Sequence, residues 1–208
     1  MKNSTWPTLF ALLILGTNRA VAAVPDDPTQ VTPVEPGSKA PSFVAKEVDG
    51  GTFRFDPAHL NHPVLLIFYR GGWCPYCNAH LHDLQSVVPK VVALGYRVLF
   101  LSTDRPEILY SSLKEKVNYH LLSDSNLDAA RAFGIAYRVD DADFLKMKSF
   151  GVDLEAAQGQ TLHQLPVPSV FIVDDTGIVR FRYFNPDFRV RLDAASILAA
   201  AQRATEHL

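Results

Sequence analysis

The sequence is poor in cysteine and has almost no net charge. Its 208 residues include two cysteines, and the formal net charge is −2. Two cysteines exclude a small scaffold held by several disulfides and a zinc site of four thiolates. A nearly neutral chain has no basic surface for nucleic acid, so no nucleic-acid partner is expected. The hydrophobic share of 48% and the charged share of 20% exclude a wholly disordered chain.

The sequence also lacks an apolar run of membrane-spanning length. Leu9–Leu15 is apolar but far shorter than the roughly 20 residues that a spanning helix needs. Lys2 precedes this run and the small residues Ala20–Ala23 follow it, which predicts a secretory signal peptide at residues 1–23. An uncleaved anchor is the alternative. We therefore expect an exported protein, periplasmic or secreted, without stable membrane insertion, in a compartment where cysteines tend to be oxidised.

The rest of the chain predicts one α/β domain. Five prolines in residues 24–41 indicate an extended arm, and residues 42–208 form the domain. Strands are predicted at 52–55, 64–69, 97–102, 119–122, 169–173 and 178–184, and helices at 75–94, 106–116, 126–133 and 193–205. Pro89 predicts a kink in the first helix. The acidic stretch 139–164 is interpreted as an insertion with a short helix near 144–149. Strands that alternate with helices predict a mixed sheet with helices on both faces.

The two cysteines lie where a buried strand gives way to a helix, in Trp73-Cys74-Pro75-Tyr76-Cys77. Cys74 is predicted at the helix N-cap, with Pro75 at the first helical position. The helix dipole and free N–H groups there stabilise a thiolate, so Cys74 is the expected attacking sulfur. Cys77 follows on the same side of the first turn and is expected to resolve the mixed disulfide. Cys74 is also expected to be the more exposed of the two.

The sequence leaves two questions about this motif open. Arg70 either adds positive charge near Cys74 or is a solvated strand end. The cysteines could also form a static disulfide, but a ring that closes so few residues removes little entropy from the unfolded chain. A redox role is therefore favoured. The direction of electron flow is not predicted, because it depends on the relative stability of the thiolate and disulfide forms.

Two longer segments carry a family resemblance. FYRGGWCPYC at 68–77 and LPVPSVFIVDDTG at 165–177 resemble the thioredoxin-like superfamily, and more closely the peroxiredoxin-like branch of the AhpC/TSA (alkyl hydroperoxide reductase/thiol-specific antioxidant) family. The resemblance implies a thioredoxin-like three-layer fold and an antioxidant oxidoreductase that acts on thiols and disulfides. It implies a protein dithiol or disulfide as substrate, a thiol reductant or oxidant as partner, and no cofactor.

The same resemblance implies further site residues. A cis proline faces the redox pair in thioredoxin-like proteins, and Pro168 matches its position, with Val167 before it contacting the substrate chain. A trans proline that begins the strand is the alternative. Residues beside the cysteines are expected to support the site. They are Arg70, Trp73, Pro75 and Tyr76.

The chain departs from typical peroxiredoxins at three positions. Ile67 and Gly71 stand where that family has a proline and a threonine or serine, and Pro168 stands where its activating arginine precedes a strand. Without a hydroxyl and a guanidinium to polarise the O–O bond, peroxide reduction loses electrostatic stabilisation. Thiol–disulfide exchange is therefore favoured, with a hydroperoxide-reducing peroxidase acting through Cys74 as the alternative.

Histidines raise a second alternative. His163 lies shortly before the strand at 169–173, similar to a histidine in copper-delivery proteins of thioredoxin-like fold, and would join Cys74 and Cys77 in binding cuprous copper. Surface histidines are the preferred interpretation, and no metal site is predicted.

Overall fold

The computed structural model describes residues 23–112 and 119–206. Residues 1–22 of the predicted signal peptide, and residues 113–116 of the predicted second helix, lie outside the described residues. The strands are β1 (Phe43–Glu47), β2 (Thr52–Phe55), β3 (Val64–Tyr69), β4 (Arg97–Ser102), β5 (His120–Ser123), β6 (Ala136–Arg138), β7 (Gln164–Pro166), β8 (Ser169–Val173) and β9 (Val179–Phe184). The helices are α1 (Pro75–Leu84), α2 (Val88–Ala93), α3 (Pro106–Ser112), α4 (Asp128–Ala132), α5 (Asp141–Ser149), α6 (Leu154–Gln158) and α7 (Ala194–Thr205).

Seven strands form a mixed sheet in the order β2-β1-β5-β4-β3-β8-β9, and β6 pairs with β7 in a separate ribbon. Strands β3, β4 and β5 run parallel, whereas β8 and β9 on one side and β1 and β2 on the other pair antiparallel. The central β3 is apolar throughout and all six of its residues are buried. Continuous apolar sequence is typical of a strand covered on both faces.

Successive residues of β3 point to opposite faces of the sheet, and each face has its own core. Leu66 and Phe68 belong to a cluster that α4 covers. Leu65 and Ile67 belong to a second cluster, which also contains apolar side chains of α1, α2 and α7. The result is helix, sheet, helix: the three-layer thioredoxin-like fold expected from the sequence. This arrangement places α1 against the face on which the cysteines lie.

The predicted helix at 75–94 is two helices, α1 and α2. A kink was expected at Pro89, but the helix breaks before it, and Pro89 lies in the first turn of α2. Proline fits there because the first N–H groups of a helix have no partner within it. The insertion at 139–164 contains α5 near the predicted helix and also α6, which the pattern did not predict.

The proline-rich segment 24–41 runs along the domain. The backbone N–H of Val34 donates to the carbonyl of Phe133 at 3.1 Å, and that of Gly37 donates to the carbonyl of Val179 at 2.8 Å. Its assignment as a separate arm stays a prediction. Among the helices of the described ranges, none has both the length and the apolar character needed to cross a membrane.

Candidate active site

Cys74 occupies the N-cap of α1 with extended backbone angles, φ −90° and ψ 114°, and Pro75 is the first helical residue. The carbonyl of Cys74 accepts the N–H of Cys77 at 3.0 Å and that of Asn78 at 3.1 Å. Both cysteines are free thiols. The backbone therefore fixes the two sulfurs on the same first turn of the helix, as the spacing predicts.

The expectation that Cys74 is the more exposed cysteine is wrong. Each cysteine is only 1% exposed. Both belong to the apolar cluster that α1 and α7 form on one face of the sheet, so the two cysteine side chains are buried although Pro75 and Tyr76 between them are exposed. Substrate contact with either sulfur therefore needs a local rearrangement.

The environment separates the acidities of the two thiols. The Cys77 thiol donates a hydrogen bond to the Cys74 sulfur and lowers the pKa of Cys74 to about 6. Burial opposes this shift, while the backbone N–H of Cys77 and the charges of Arg70 and Arg191 add to it. The same hydrogen bond, burial and the negative charge of Cys74 raise the pKa of Cys77. Cys74 therefore ionises first, and Cys77 holds the proton.

Arg70 is not a solvated strand end. It is 7% exposed, and its guanidinium carbon lies 4.1 Å from the ring centre of Phe188 and 5.1 Å from that of Trp73. Its Nη2 atom contacts the Met147 sulfur at 3.8 Å, so the insertion helix α5 reaches the site. Arg70 adds positive charge beside Cys74 from inside the protein.

Arg191 is a site residue that the sequence did not predict. Its Nη2 atom lies 3.5 Å from the Sγ atom of Cys77. Its Nη1 atom donates to the carbonyls of Phe188 and Val190, the second at 3.1 Å. The residue lies in the segment between β9 and α7, where no local motif marks it.

A second unpredicted residue, Asp104, holds the loop that leads to the cysteines. Its buried carboxylate accepts the N–H of Gly72 at 2.6 Å and the hydroxyl of Ser102 at 3.0 Å. Burial raises the pKa of Asp104, against those hydrogen bonds. Its Oδ1 atom and the indole nitrogen of Trp73 are both buried, and the Trp73 N–H acts to lower the pKa of Asp104. Both lie against Gly71, so the loop packs tightly at this point.

The remaining motif residues lie at the surface end of the site. Pro75 is exposed, and Tyr76 is 45% exposed. The Tyr76 ring meets Phe188 edge to face, with ring centres 5.7 Å apart. Phe188 therefore contacts both Tyr76 and Arg70, and it ties the segment after β9 to the cysteine motif.

The expected cis bond before Pro168 is wrong. The described residues contain no cis peptide bond, and Pro168 directly precedes β8 in the trans form, as the alternative supposed. Val167 is fully buried. Its N–H donates to the carbonyl of Ile135 at 2.8 Å, and its carbonyl accepts the Ser169 hydroxyl at 2.7 Å. Neither backbone group of Val167 is free for a substrate in this conformation, so its substrate contact stays a prediction.

The structure explains two of the departures from typical peroxiredoxins. Ile67 is 1% exposed and packs within the cysteine-side core. Gly71 has φ +156°, and a Cβ atom there would lie 2.2 Å from the indole nitrogen of Trp73. Because real Cβ contacts are never this short, a threonine cannot stand at position 71 without moving Trp73. The position that holds a hydroxyl in typical peroxiredoxins is therefore filled by the indole.

The histidines do not assemble with the cysteines. The His80 ring bonds to the carbonyl of Leu192 at 2.9 Å, and burial lowers its pKa. The His163 ring lies 2.7 Å from a carboxylate oxygen of Glu155 and stacks on Phe144 with centres 3.9 Å apart. Within the two described ranges, no three His, Cys, Asp or Glu residues group closely enough to hold a metal ion. The copper alternative therefore lacks the geometry it requires.

The fold and the cysteine pair define a thioredoxin-like thiol oxidoreductase. A family model described as the AhpC/TSA family matches residues 36–182, and the chain belongs to this family.

Curated relatives agree with this assignment. Peroxiredoxin Bcp of Escherichia coli is 30% identical over 106 residues, which are 50% of this chain and 67% of that protein. The thiol:disulfide interchange protein DsbE of Escherichia coli is 28% identical over 163 residues, which are 76% of this chain and 70% of that protein. The protein is therefore an oxidoreductase that acts on thiols, in a family that includes peroxidases.

Solved structures support the fold. Peroxidoxin BcpB of Mycobacterium tuberculosis aligns with a TM-score of 0.60 and 19% identity, over 82% of this chain and 97% of that one. A peroxiredoxin Q structure from Xanthomonas campestris aligns with a TM-score of 0.58 and 20% identity, over 78% and 90%. At this identity the likeness establishes the thioredoxin-like architecture.

Proposed function

We propose that this protein catalyses thiol–disulfide exchange with protein substrates through Cys74 and Cys77. One observation carries the proposal: Cys74 is the N-cap of α1 and Cys77 lies on the same first turn, with its N–H bonded to the Cys74 carbonyl at 3.0 Å. The Cys77 thiol lowers the pKa of Cys74 to about 6. This arrangement supplies a nucleophile and a resolving thiol within one turn. The similarity to a protein named for thiol:disulfide interchange supports it.

In the reducing direction, the Cys74 thiolate attacks a substrate disulfide and forms a mixed disulfide, and one substrate sulfur leaves. Cys77 then loses its proton and attacks Cys74, which closes the Cys74–Cys77 disulfide and releases the second substrate sulfur. The substrate gains two electrons and the protein loses them. In the oxidising direction the same steps run backwards.

A peroxidase acting through Cys74 is the second candidate, favoured by the low pKa of this thiol and by the family. The site opposes it, because an indole fills the place of the activating hydroxyl at position 71 and Pro168 replaces an arginine. A thiolate without those groups still reacts slowly with peroxide.

Parallel kinetics separate the two candidates. The reduced protein is mixed with hydrogen peroxide or with a disulfide-bonded model protein, and thiol loss is followed over time. Exchange is expected to be faster than with a free thiol, and peroxide consumption comparable to that of a free thiolate. Peroxide consumption orders of magnitude faster than by a free thiolate would establish the peroxidase instead. The variant Cys74→Ser is the control and should be inactive in both assays.

We also propose that the protein is exported, with cleavage after Ala23. The charged start, the short apolar run and the small residues at 20–23 support this. Cell fractionation of the full chain, with N-terminal sequencing of the product, tests it. A mature protein that begins at Val24 outside the cytoplasm is expected, and an unprocessed protein confined to the cytoplasm would contradict it.

A further inference from the structure

Two guanidinium groups flank the redox pair, and neither forms an ion pair with a carboxylate in the described part of the chain. Arg70 is buried, and its Nε atom has no hydrogen-bond partner among the described residues. Arg191 is half-buried, and its Nε atom is likewise buried without a partner in that part of the chain. The ion pairs found in the described ranges include neither residue. Within the described ranges, two positive charges therefore lie near the cysteines without an ion-pair partner.

The acidic residues on either side of Arg191 in sequence form no ion pair with it in the described ranges. Asp193 accepts the N–H and the hydroxyl of Ser196 at 2.9 and 2.7 Å. The guanidinium of Arg189 donates two hydrogen bonds of 2.8 Å to the carboxylate of Asp187, so this carboxylate is paired with a different arginine. The buried carboxylate of Asp104 is likewise bonded to Gly72 and Ser102. The charge of Arg191 helps to lower the pKa of Asp187, but the side chain that its Nη2 atom contacts is Cys77, with Sγ at 3.5 Å.

The charge balance of the site therefore depends on its redox state. In the reduced protein the pair carries one negative charge, centred on Cys74 and shared through the Cys77 hydrogen bond, and this charge compensates the guanidiniums. In the disulfide both sulfurs are neutral, and the two guanidiniums lose the compensation that the thiolate gives them. An uncompensated buried charge is costly, so the arginines stabilise the reduced form relative to the disulfide. A couple whose reduced form is stabilised is the stronger oxidant.

We propose that Arg191, together with Arg70, makes the Cys74–Cys77 disulfide an oxidant, so that the pair accepts electrons from protein dithiols. The proposal rests on the proposed function and gives it a direction.

The oxidising step balances as follows. A substrate thiolate attacks Cys74, the Cys74–Cys77 bond breaks, and Cys77 leaves and takes up a proton. The second substrate thiol then loses its proton and attacks the substrate sulfur of the mixed disulfide. The substrate disulfide forms, and Cys74 leaves as a thiolate. The substrate loses two electrons and two protons; Cys77 retains one proton and the other passes to solvent.

Redox equilibria of variants test the proposal. Wild type and the variants Arg191→Gln, Arg191→Lys and Arg203→Gln are equilibrated in mixtures of reduced and oxidised glutathione, and the reduced fraction is measured by alkylation and mass spectrometry. Arg191→Gln is expected to shift the equilibrium toward the disulfide by about tenfold, which corresponds to about 30 mV. Arg191→Lys keeps the charge and should retain most of the wild-type value. Arg203 is exposed on α7, so Arg203→Gln controls for loss of one remote charge.

An Arg191→Gln equilibrium equal to wild type would overturn the proposal. If Arg191→Gln does not fold, the same measurement on Arg70→Gln tests the proposal. This variant removes the second charge and should shift the equilibrium toward the disulfide as well. The failure of the proposed function gives a different result: no Cys74–Cys77 disulfide would form in oxidised glutathione. A disulfide that forms normally but does not respond to either arginine would reject this inference alone.

Discussion

The Nη2 atom of Arg191 lies 3.5 Å from the Sγ atom of Cys77, although the two residues are 114 positions apart in the chain. The contact places a positive charge at the resolving sulfur. The charge comes from Arg191, which lies near the C-terminal end of the domain, far in sequence from the cysteine motif. The charge of Arg191 acts to lower the pKa of both cysteines, although the hydrogen bond to Cys74 and burial raise the pKa of Cys77 overall. The electrostatics of the pair are therefore a property of the tertiary fold as well as of the helix N-terminus.

The Cys77 thiol is the largest cause of the low Cys74 pKa. Cys77→Ala removes that hydrogen bond, so the pKa of Cys74 should rise from about 6 toward the ordinary thiol value. Cys77→Ser keeps a donor and should give a smaller rise. The pH dependence of alkylation by iodoacetamide measures both. An unchanged pKa in Cys77→Ala would show that the hydrogen bond does not set the acidity.

The lowered pKa also predicts how stability depends on pH. Cys74 has a pKa of about 6 in the folded protein and about 8.5 when unfolded, so between these values the unfolded chain binds more protons. The reduced protein should therefore gain stability relative to Cys74→Ser as pH rises from 6 to 8, by at most about 1.4 kcal/mol per pH unit. The gain is lost as pH falls through 6. Urea unfolding at several pH values checks the sign, and a flat difference would rule out the shift.

Gly71 is required by packing against Trp73. Gly71→Ala places a Cβ atom 2.2 Å from the Trp73 indole nitrogen and 2.8 Å from an Asp104 carboxylate oxygen. Gly95 also has positive φ, but a Cβ there meets nothing within 4 Å. Gly71→Ala should therefore cost about 1–3 kcal/mol more than Gly95→Ala, as overpacking does. If urea unfolding gave the same loss of unfolding free energy for both variants, the loop would rearrange around the added methyl group without a stability cost.

The sequence predicts the parts of the fold that depend on local pattern. The buried strands β3 and β4 fall at the predicted residues because their continuous apolar runs suit a strand covered on both faces. The Asp193 side chain caps α7 as expected, accepting the N–H of Ser196. Positions of both cysteines on the first turn of α1 follow from their spacing alone.

Features that depend on distant contacts were not predictable. Arg191 and Asp104 reach the site from segments remote in sequence, and neither belongs to a local motif. The exposure of Cys74 was predicted wrongly, because helix periodicity does not say how deeply a side chain at the N-cap is buried. The prediction of a cis bond before Pro168 was also wrong, since the local sequence allows either the cis or the trans form.

Trapping of mixed disulfides tests most directly whether Cys74 attacks and Cys77 resolves. Reduced Cys77→Ser is mixed with a disulfide-bonded model protein, the reaction is quenched in acid, and the adduct is mapped by mass spectrometry. A stable adduct through Cys74 is expected in Cys77→Ser, with none in Cys74→Ser and little in wild type, where Cys77 releases the substrate. Wild-type exchange by Cys74→Ser, or an adduct that forms on Cys77 in wild type, would contradict the assignment of roles.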